Sequence, residues 1–140
     1  MALTPQYDDE LLVVVESDVV EPEPSKTWEL DFSTGRVRGF IDEEKAIRQF
    51  VLKALMTERY KYVIYSDSYG NELKTLIGSG MSRALLASEI PRMIQDAIEY
   101  DDRIESALVN LEFEGDKAFV TVTVETIKGE TVTEEVDFNV

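Results

Sequence analysis

Few residue types in this chain could do chemistry. Its 140 residues include no histidine and no cysteine. That removes the commonest general base and metal ligand, the thiol nucleophile and the thiolate zinc site. Carboxylates remain, 29 in all. The most suggestive group lies in "IEYDDRIESALVNLEFEG", Ile98 to Gly115, where Asp101 and Asp102 adjoin Arg103. Two readings are open: a catalytic carboxylate pair, or a structural joint where another protein docks. A glycosidase needs two carboxyl groups about 5–10 Å apart across a cleft, and sequence neighbours are not thereby aimed at one bond.

Other chemical patterns are weaker. "YSDSYGNEL" offers Asp67, Ser68, Asn71 and Glu72 as oxygen ligands but lacks the spacing of a twelve-residue calcium loop. "GNELKTLIGSG" has glycines without the Gly-Lys-Ser/Thr of a phosphate loop and without a dinucleotide-binding pattern. Tyr60, Tyr62, Tyr65 and Tyr69 crowd into ten residues. Base stacking on such a cluster normally comes with a basic groove, so packing or a protein interface is the better expectation. No cofactor is expected.

The formal net charge is −15. Residues 1–25 hold seven acids and no base, residues 26–100 eleven of each, and residues 101–140 eleven acids against Arg103, Lys117 and Lys128. Both ends are thus acidic and the middle is neutral. Such a surface repels phosphates, because nucleic-acid binding relies on Lys and Arg. An acidic mimic of DNA is a separate possibility on the charge alone; the lack of long helical carboxylate rows counts against it. No apolar run is long enough to span a membrane, and "MALTPQYDDE" is not laid out as a signal peptide. A cytoplasmic origin is the expectation, with neither nucleic acid nor membrane as partner.

The positioning elements are legible from periodicity. Residues 1–26 read as an acidic extended arm, stiffened by "EPEPS", with Leu11–Val15 able to add as a strand to another chain. Residues 27–140 read as the folded part. Thr27–Asp31 and Arg36–Phe40 form a small hairpin around Ser33-Thr34-Gly35, with Trp28 as a core anchor. "DEEKAIRQFVLKALMTE" is a helix capped by Asp42. Its apolar face is Ile47, Phe50, Val51, Ala54 and Leu55, and Lys45, Arg48, Lys53 and Glu58 lie on the wet side. Tyr62–Tyr65 is expected as a strand or extended segment. "MSRALLASEIPRMIQDAIEYDD" is a second helical stretch, with Leu85, Leu86, Ile90, Met93, Ile94, Ala97 and Ile98 as its apolar face. Pro91 predicts a kink, or a break with a new helix starting near Ser88. From Leu111 the period becomes two, with turns at Gly115-Asp116 and Lys128-Gly129. The expected fold class is therefore α+β: two main helices packed on a C-terminal antiparallel meander.

Three stretches taken together also carry a family resemblance: Lys26 to Gly78, "EIPRMIQDAIEYDDRIESALV", and the alternating tail through "FVTVTVETIKGE". In this order they resemble the XkdS-like proteins of PBSX-type prophages and contractile-tail phages. That family is similar to the baseplate wedge or sheath-initiator proteins once labelled tail lysozyme-like. The resemblance implies a structural subunit of a contractile tail with no enzymatic activity. It would assemble in the bacterial cytoplasm, end in the tail baseplate of the virion, and be oligomeric in the assembled tail. The implied partners are other baseplate wedge proteins and the tail sheath protein. In the broader family a Glu-Pro-Arg motif at the helix–strand junction contacts the wedge core. Its counterpart here is Asp101-Asp102-Arg103, with Asp102 in the proline position. The last strand, roughly Thr131–Phe138, would present a free edge to the sheath through Thr131, Thr133, Glu135 and Asp137, with Glu130, Glu134, Glu135 and Asp137 discouraging indiscriminate pairing. The old family label keeps a peptidoglycan hydrolase as the alternative.

Overall fold

A computed structural model describes residues 25–140. The expected arm and its Leu11–Val15 segment lie outside the described residues, apart from Ser25 and Lys26. The chain runs as β1 (Thr27–Asp31), β2 (Arg36–Ile41), α1 (Glu43–Met56), a short 3-10 turn (Leu73–Thr75), α2 (Arg83–Ile98), β3 (Ile104–Glu114), β4 (Lys117–Thr126) and β5 (Thr131–Asn139). β1 and β2 form one antiparallel sheet, and β3-β4-β5 form a second in meander order. This is the expected α+β architecture.

The meander exists because its strands alternate. Ala118, Val120, Val122 and Val124 turn one way on β4 and are at most 1% exposed. Their cross-strand partners Phe113, Leu111, Val109 and Ala107 on β3 share that face, as do Phe138, Val136, Glu134 and Val132 on β5. The helices cover it. From α1 come Ile47, Val51 and Ala54, and from α2 Leu86, Ile90, Ile94, Ala97 and Ile98. Ile90, Ile94, Ile98 and Val51 are fully buried. Each such side chain contributes about 1.5–3 kcal/mol of transfer free energy. That is enough to hold each helix against the sheet whatever its own local propensities.

Asp42 caps α1, its Oδ1 accepting from the Glu43 N–H at 2.8 Å. At the other end Asn71 Nδ2 donates to the carbonyls of Ala54, Leu55 and Thr57 at 2.8, 2.7 and 3.1 Å. A loop residue thus satisfies orphan acceptors of the last helical turn. Gly70, beside it, lies so close to Thr57 that an added Cβ would sit 2.7 Å from that carbonyl oxygen.

Several expectations need correction. The break offered as one alternative at Pro91 does not occur: α2 is one helix, capped by the Ser82 hydroxyl, with Pro91 inside it. The carbonyl that Pro91 leaves without an N–H partner belongs to Ala87, on the exposed side, where water can serve it. Leu85 is exposed, falling outside the buried arc of the same helix. Tyr62–Tyr65 forms turns and no strand, closed by the Tyr65 N–H on the Tyr62 carbonyl at 3.2 Å. Trp28 is no core anchor: it is 54% exposed and lies on Phe40, ring centroids 4.0 Å apart. The two face each other across the hairpin, on the side turned away from α1. The hairpin is instead joined to α1 through buried Gln49. Its Oε1 accepts from the Leu30 N–H at 2.7 Å, and its Nε2 donates to the Trp28 carbonyl at 2.8 Å.

Candidate functional site

The junction between α2 and β3 is where the acids of the opening stretch meet Arg103. The helix ends as the Glu99 N–H donates to Gln95 O, and the Asp101 N–H to Ile98 O at 3.3 Å. The Ile104 N–H then bonds the Asp101 carbonyl at 3.1 Å, starting the strand. Inside this turn Arg103 grips Asp101 with both arms of its fork. Nε donates to Oδ1 and Nη2 to Oδ2, each at 2.8 Å, and the Arg103 backbone N–H adds a third bond to Oδ1 at 3.0 Å. Both side chains are largely buried, 18% and 13% exposed. Burial alone pushes the Asp101 carboxyl up. The hydrogen bonds and charge of Arg103 outweigh it and hold the group below its usual range. Arg103 is correspondingly raised, chiefly by its bond to Asp101.

That geometry bears on the carboxylate-pair reading at one residue, Asp101. A glycosidase acid needs a carboxyl raised enough to carry a proton near neutral pH. Asp101 is shifted the other way and its oxygens are occupied. Asp102, exposed beside it, does not share the Arg103 fork. What the structure holds here is an internally paired turn between α2 and β3. Sequence reasoning brought these three residues together and left open whether Arg103 binds its own acid; it does.

Around the joint lies a cleft of about 340 Å³, lined among others by Lys26, Gln49, Phe50, Tyr69, Asp102 and Arg103. The Arg103 guanidinium stands 5.4 Å from the Phe50 ring centroid. Phe50 in turn meets Tyr69 and Tyr100 edge-on at 6.3 and 6.1 Å, and Tyr69 stacks on Tyr65 at 4.4 Å. Burial pushes the Tyr69 phenol up. Of the four tyrosines Tyr69 lines the cleft and Tyr65 stacks on it, Tyr62 meets Tyr65 edge-on at 6.2 Å, and Tyr60 and Tyr62 are exposed. Gln49, buried in the cleft wall, carried no signal of this role in the sequence, since a lone glutamine among charged helix residues reads as solvated.

The second predicted surface is the outer edge of β5. In an antiparallel ladder, each residue turns its N–H and C=O toward one neighbour or the other, alternately. Thr126 N–H bonds Glu130 O, and Val140 N–H bonds Asp116 O, both at 2.9 Å. With the register of β4 and β5, these bonds set the phase. Val132, Glu134, Val136 and Phe138 bond to β4. Thr131, Thr133, Glu135 and Asp137 turn their backbone groups outward, and all four are exposed. No described strand pairs with that edge. Glu134 departs from expectation: it points inward, toward α1, and its Oε1 lies 2.9 Å from Arg48 Nη1. The contact is a charge pair without an aligned hydrogen bond, as Oε1 finds no hydrogen-bond partner among the described residues.

Among the described residues no three acids cluster as a metal site would require, and no helix is long and apolar enough to cross a membrane. The described residues thus hold a braced helix–strand joint beside a cleft, and a sheet with an outward-turned backbone edge. The family profile described as contractile injection system sheath initiator matches residues 25–129, and the chain belongs to that family. It is 46% identical to the phage-like element PBSX protein XkdS of Bacillus subtilis (strain 168), over 97% of this chain and 96% of that protein. The matched family span contains the joint and stops at the turn before β5.

Proposed function

We propose that this chain is a non-enzymatic subunit of a contractile-tail baseplate wedge that nucleates sheath assembly. Residues 1–26 are its arm and 27–140 its wedge domain. Two surfaces divide the work. The joint at Asp101, Asp102 and Arg103 docks into the wedge core: Arg103 braces Asp101 from within, and exposed Asp102 and the adjoining cleft meet the partner. The edge of β5, through Thr131, Thr133, Glu135 and Asp137, accepts a strand from the first ring of sheath subunits. Assembly takes place in the bacterial cytoplasm and the subunit remains in the virion tail. The observation that carries this reading is the outward-turned backbone of β5, which pairs with no other strand among the described residues, in a chain of the sheath-initiator family. Strand addition there would supply main-chain hydrogen bonds for affinity and acidic side chains for selection of a basic partner.

The test is co-expression with the neighbouring tail genes and pull-down, comparing wild type with Arg103→Ala and Asp102→Ala. Both variants are expected to lose wedge partners. If both retain the same partners as wild type, the joint is not the docking surface. Zymography on cell-wall substrate addresses the hydrolase alternative, which lysis dependent on one Asp or Glu would establish in its place.

A further inference from the structure

The three-stranded sheet has two outer edges, and they are not equivalent. The alternation that sets the phase of β5 also sets that of β3. The even-numbered residues of β4 bond β5, so Lys117, Phe119, Thr121, Thr123 and Glu125 turn their backbone toward β3. Their register partners are Glu114, Glu112, Asn110, Leu108 and Ser106. The residues that turn outward on β3 are therefore Ala107, Val109, Leu111 and Phe113.

Ala107 verifies this independently, since both of its outward groups are already taken by side chains of α2 and its cap. The Ala107 N–H donates to Glu99 Oε1, and Gln95 Nε2 donates to the Ala107 carbonyl, each at 2.9 Å. Together Gln95 and Glu99 offer one acceptor and one donor, the pair that an added strand would present at this position. Beyond the far end of the strand Arg83 Nη2 donates to the Gly115 carbonyl. Arg83 also sits 5.6 Å from the Phe113 ring centroid. Side chains of α2 and its cap thus occupy the β3 edge at Ala107 and, just past the strand, at Gly115, with Val109 to Phe113 between them.

The β5 edge is covered far more loosely. One cation, Arg48 of α1, reaches the outward Thr133 carbonyl at 3.5 Å. Arg48 also meets Glu44 and Glu134, at 3.1 and 2.9 Å, and is 45% exposed. The outward N–H of Thr133 receives no side-chain partner among the described residues. A contact this long and this exposed is readily exchanged for water or for another acceptor.

We propose that Gln95 and Glu99 form a latch that mimics a neighbouring strand and keeps the β3 edge from pairing with a second copy of this chain, leaving β5 as the only edge that yields to a strand. The latch requires nothing of a partner. The assignment of β5 as the yielding edge rests on the proposed sheath-nucleating function. The latch solves a problem any open meander faces in solution, where two free edges allow copies to add to one another in rows.

Amide hydrogen exchange and sedimentation velocity on the full chain test it. In wild type the Ala107 amide is protected. In Glu99→Ala it is expected to exchange about tenfold faster, the effect of one lost hydrogen bond. The inward amides of Leu108 and Asn110 keep their protection and serve as the internal reference against unfolding. Glu99→Gln retains an oxygen acceptor and restores the slow rate. The Gln95→Ala/Glu99→Ala double variant is expected to self-associate more than wild type, with new protection at Val109, Leu111 and Phe113. An Ala107 amide indifferent to Glu99→Ala, measured against those references, overturns the latch. So does a double variant that associates no more than wild type. With purified sheath protein from the same tail cluster added to wild type, protection is expected at Thr131, Thr133, Glu135 and Asp137. Protection at Val109, Leu111 and Phe113 instead overturns the edge assignment. Protection at neither edge defeats the sheath-nucleating reading while the latch stands or falls on Ala107.

Discussion

Arg103→Ala should destabilise the fold by about 2–3 kcal/mol at neutral pH, and the loss should fade in acid. The substitution removes two side-chain bonds to a carboxylate that is 13% exposed and leaves Asp101 with its backbone bond to residue 103. Hydrogen bonds to charged groups contribute about 1.5–3 kcal/mol. Stranding one partner of a buried pair costs about 3–5 kcal/mol. The partial exposure here and the surviving backbone bond place the expectation below that upper range. In a thermal melt it corresponds to about 5–10 °C. Asp101 has its pKa lowered in the folded chain. Its contribution is therefore complete above the unfolded carboxylate value, about 3.9, and is lost as pH falls through the lower folded value. Urea titrations of wild type and Arg103→Ala at pH 7, 5, 4 and 3 should converge from above as the acid range is entered. Arg103→Lys should fall between them, since an ammonium keeps the charge and loses the planar fork. A stability difference under about 0.5 kcal/mol at pH 7, or one independent of pH, refutes the account of the joint.

Other outcomes follow from the same structure. Asn71→Ala leaves the Ala54 and Leu55 carbonyls of α1 without their side-chain donor, while Thr57 keeps the backbone N–H of residue 71, and should cost about 2–3 kcal/mol in urea unfolding; a change under about 0.5 kcal/mol would mean that water replaces the amide without loss. Trp28, the sole tryptophan, should emit as a solvent-exposed indole and be quenched readily by acrylamide in the native state. A blue-shifted, protected emission would contradict its 54% exposure.

The periodicities in this chain were enough for its elements. The spacing of Ile47, Val51 and Ala54 marks a helix face, and the alternation from Ala118 to Val124 marks a strand with one dry side. Those patterns are local consequences of 3.6 and 2 residues per repeat, so they survive without knowledge of the partner surface. They also led to the α+β class, and three stretches taken together, Lys26 to Gly78, Glu89 to Val109 and the alternating tail, led to the family. Errors arose where a side chain's environment depends on what packs opposite. Trp28 reads as a core residue by type, yet its hairpin turns it outward against Phe40. Pro91 reads as a kink or a break, and of the two the break does not occur: α2 runs unbroken from Arg83 to Ile98, with Ile90, Ile94 and Ile98 buried.

What the sequence alone determined is the hairpin, the two helical stretches, the alternating tail and the acidic ends, because each follows from residue type and short spacing; it placed the start of β3 at Leu111, where the strand begins at Ile104. Only the tertiary structure decided that Arg103 is bound to Asp101 and that Gln49 stitches the hairpin to α1. It also decided that Gln95 and Glu99 occupy one sheet edge while Arg48 barely covers the other. These are hydrogen bonds whose direction and distance depend on where whole elements come to rest, and no local pattern encodes that.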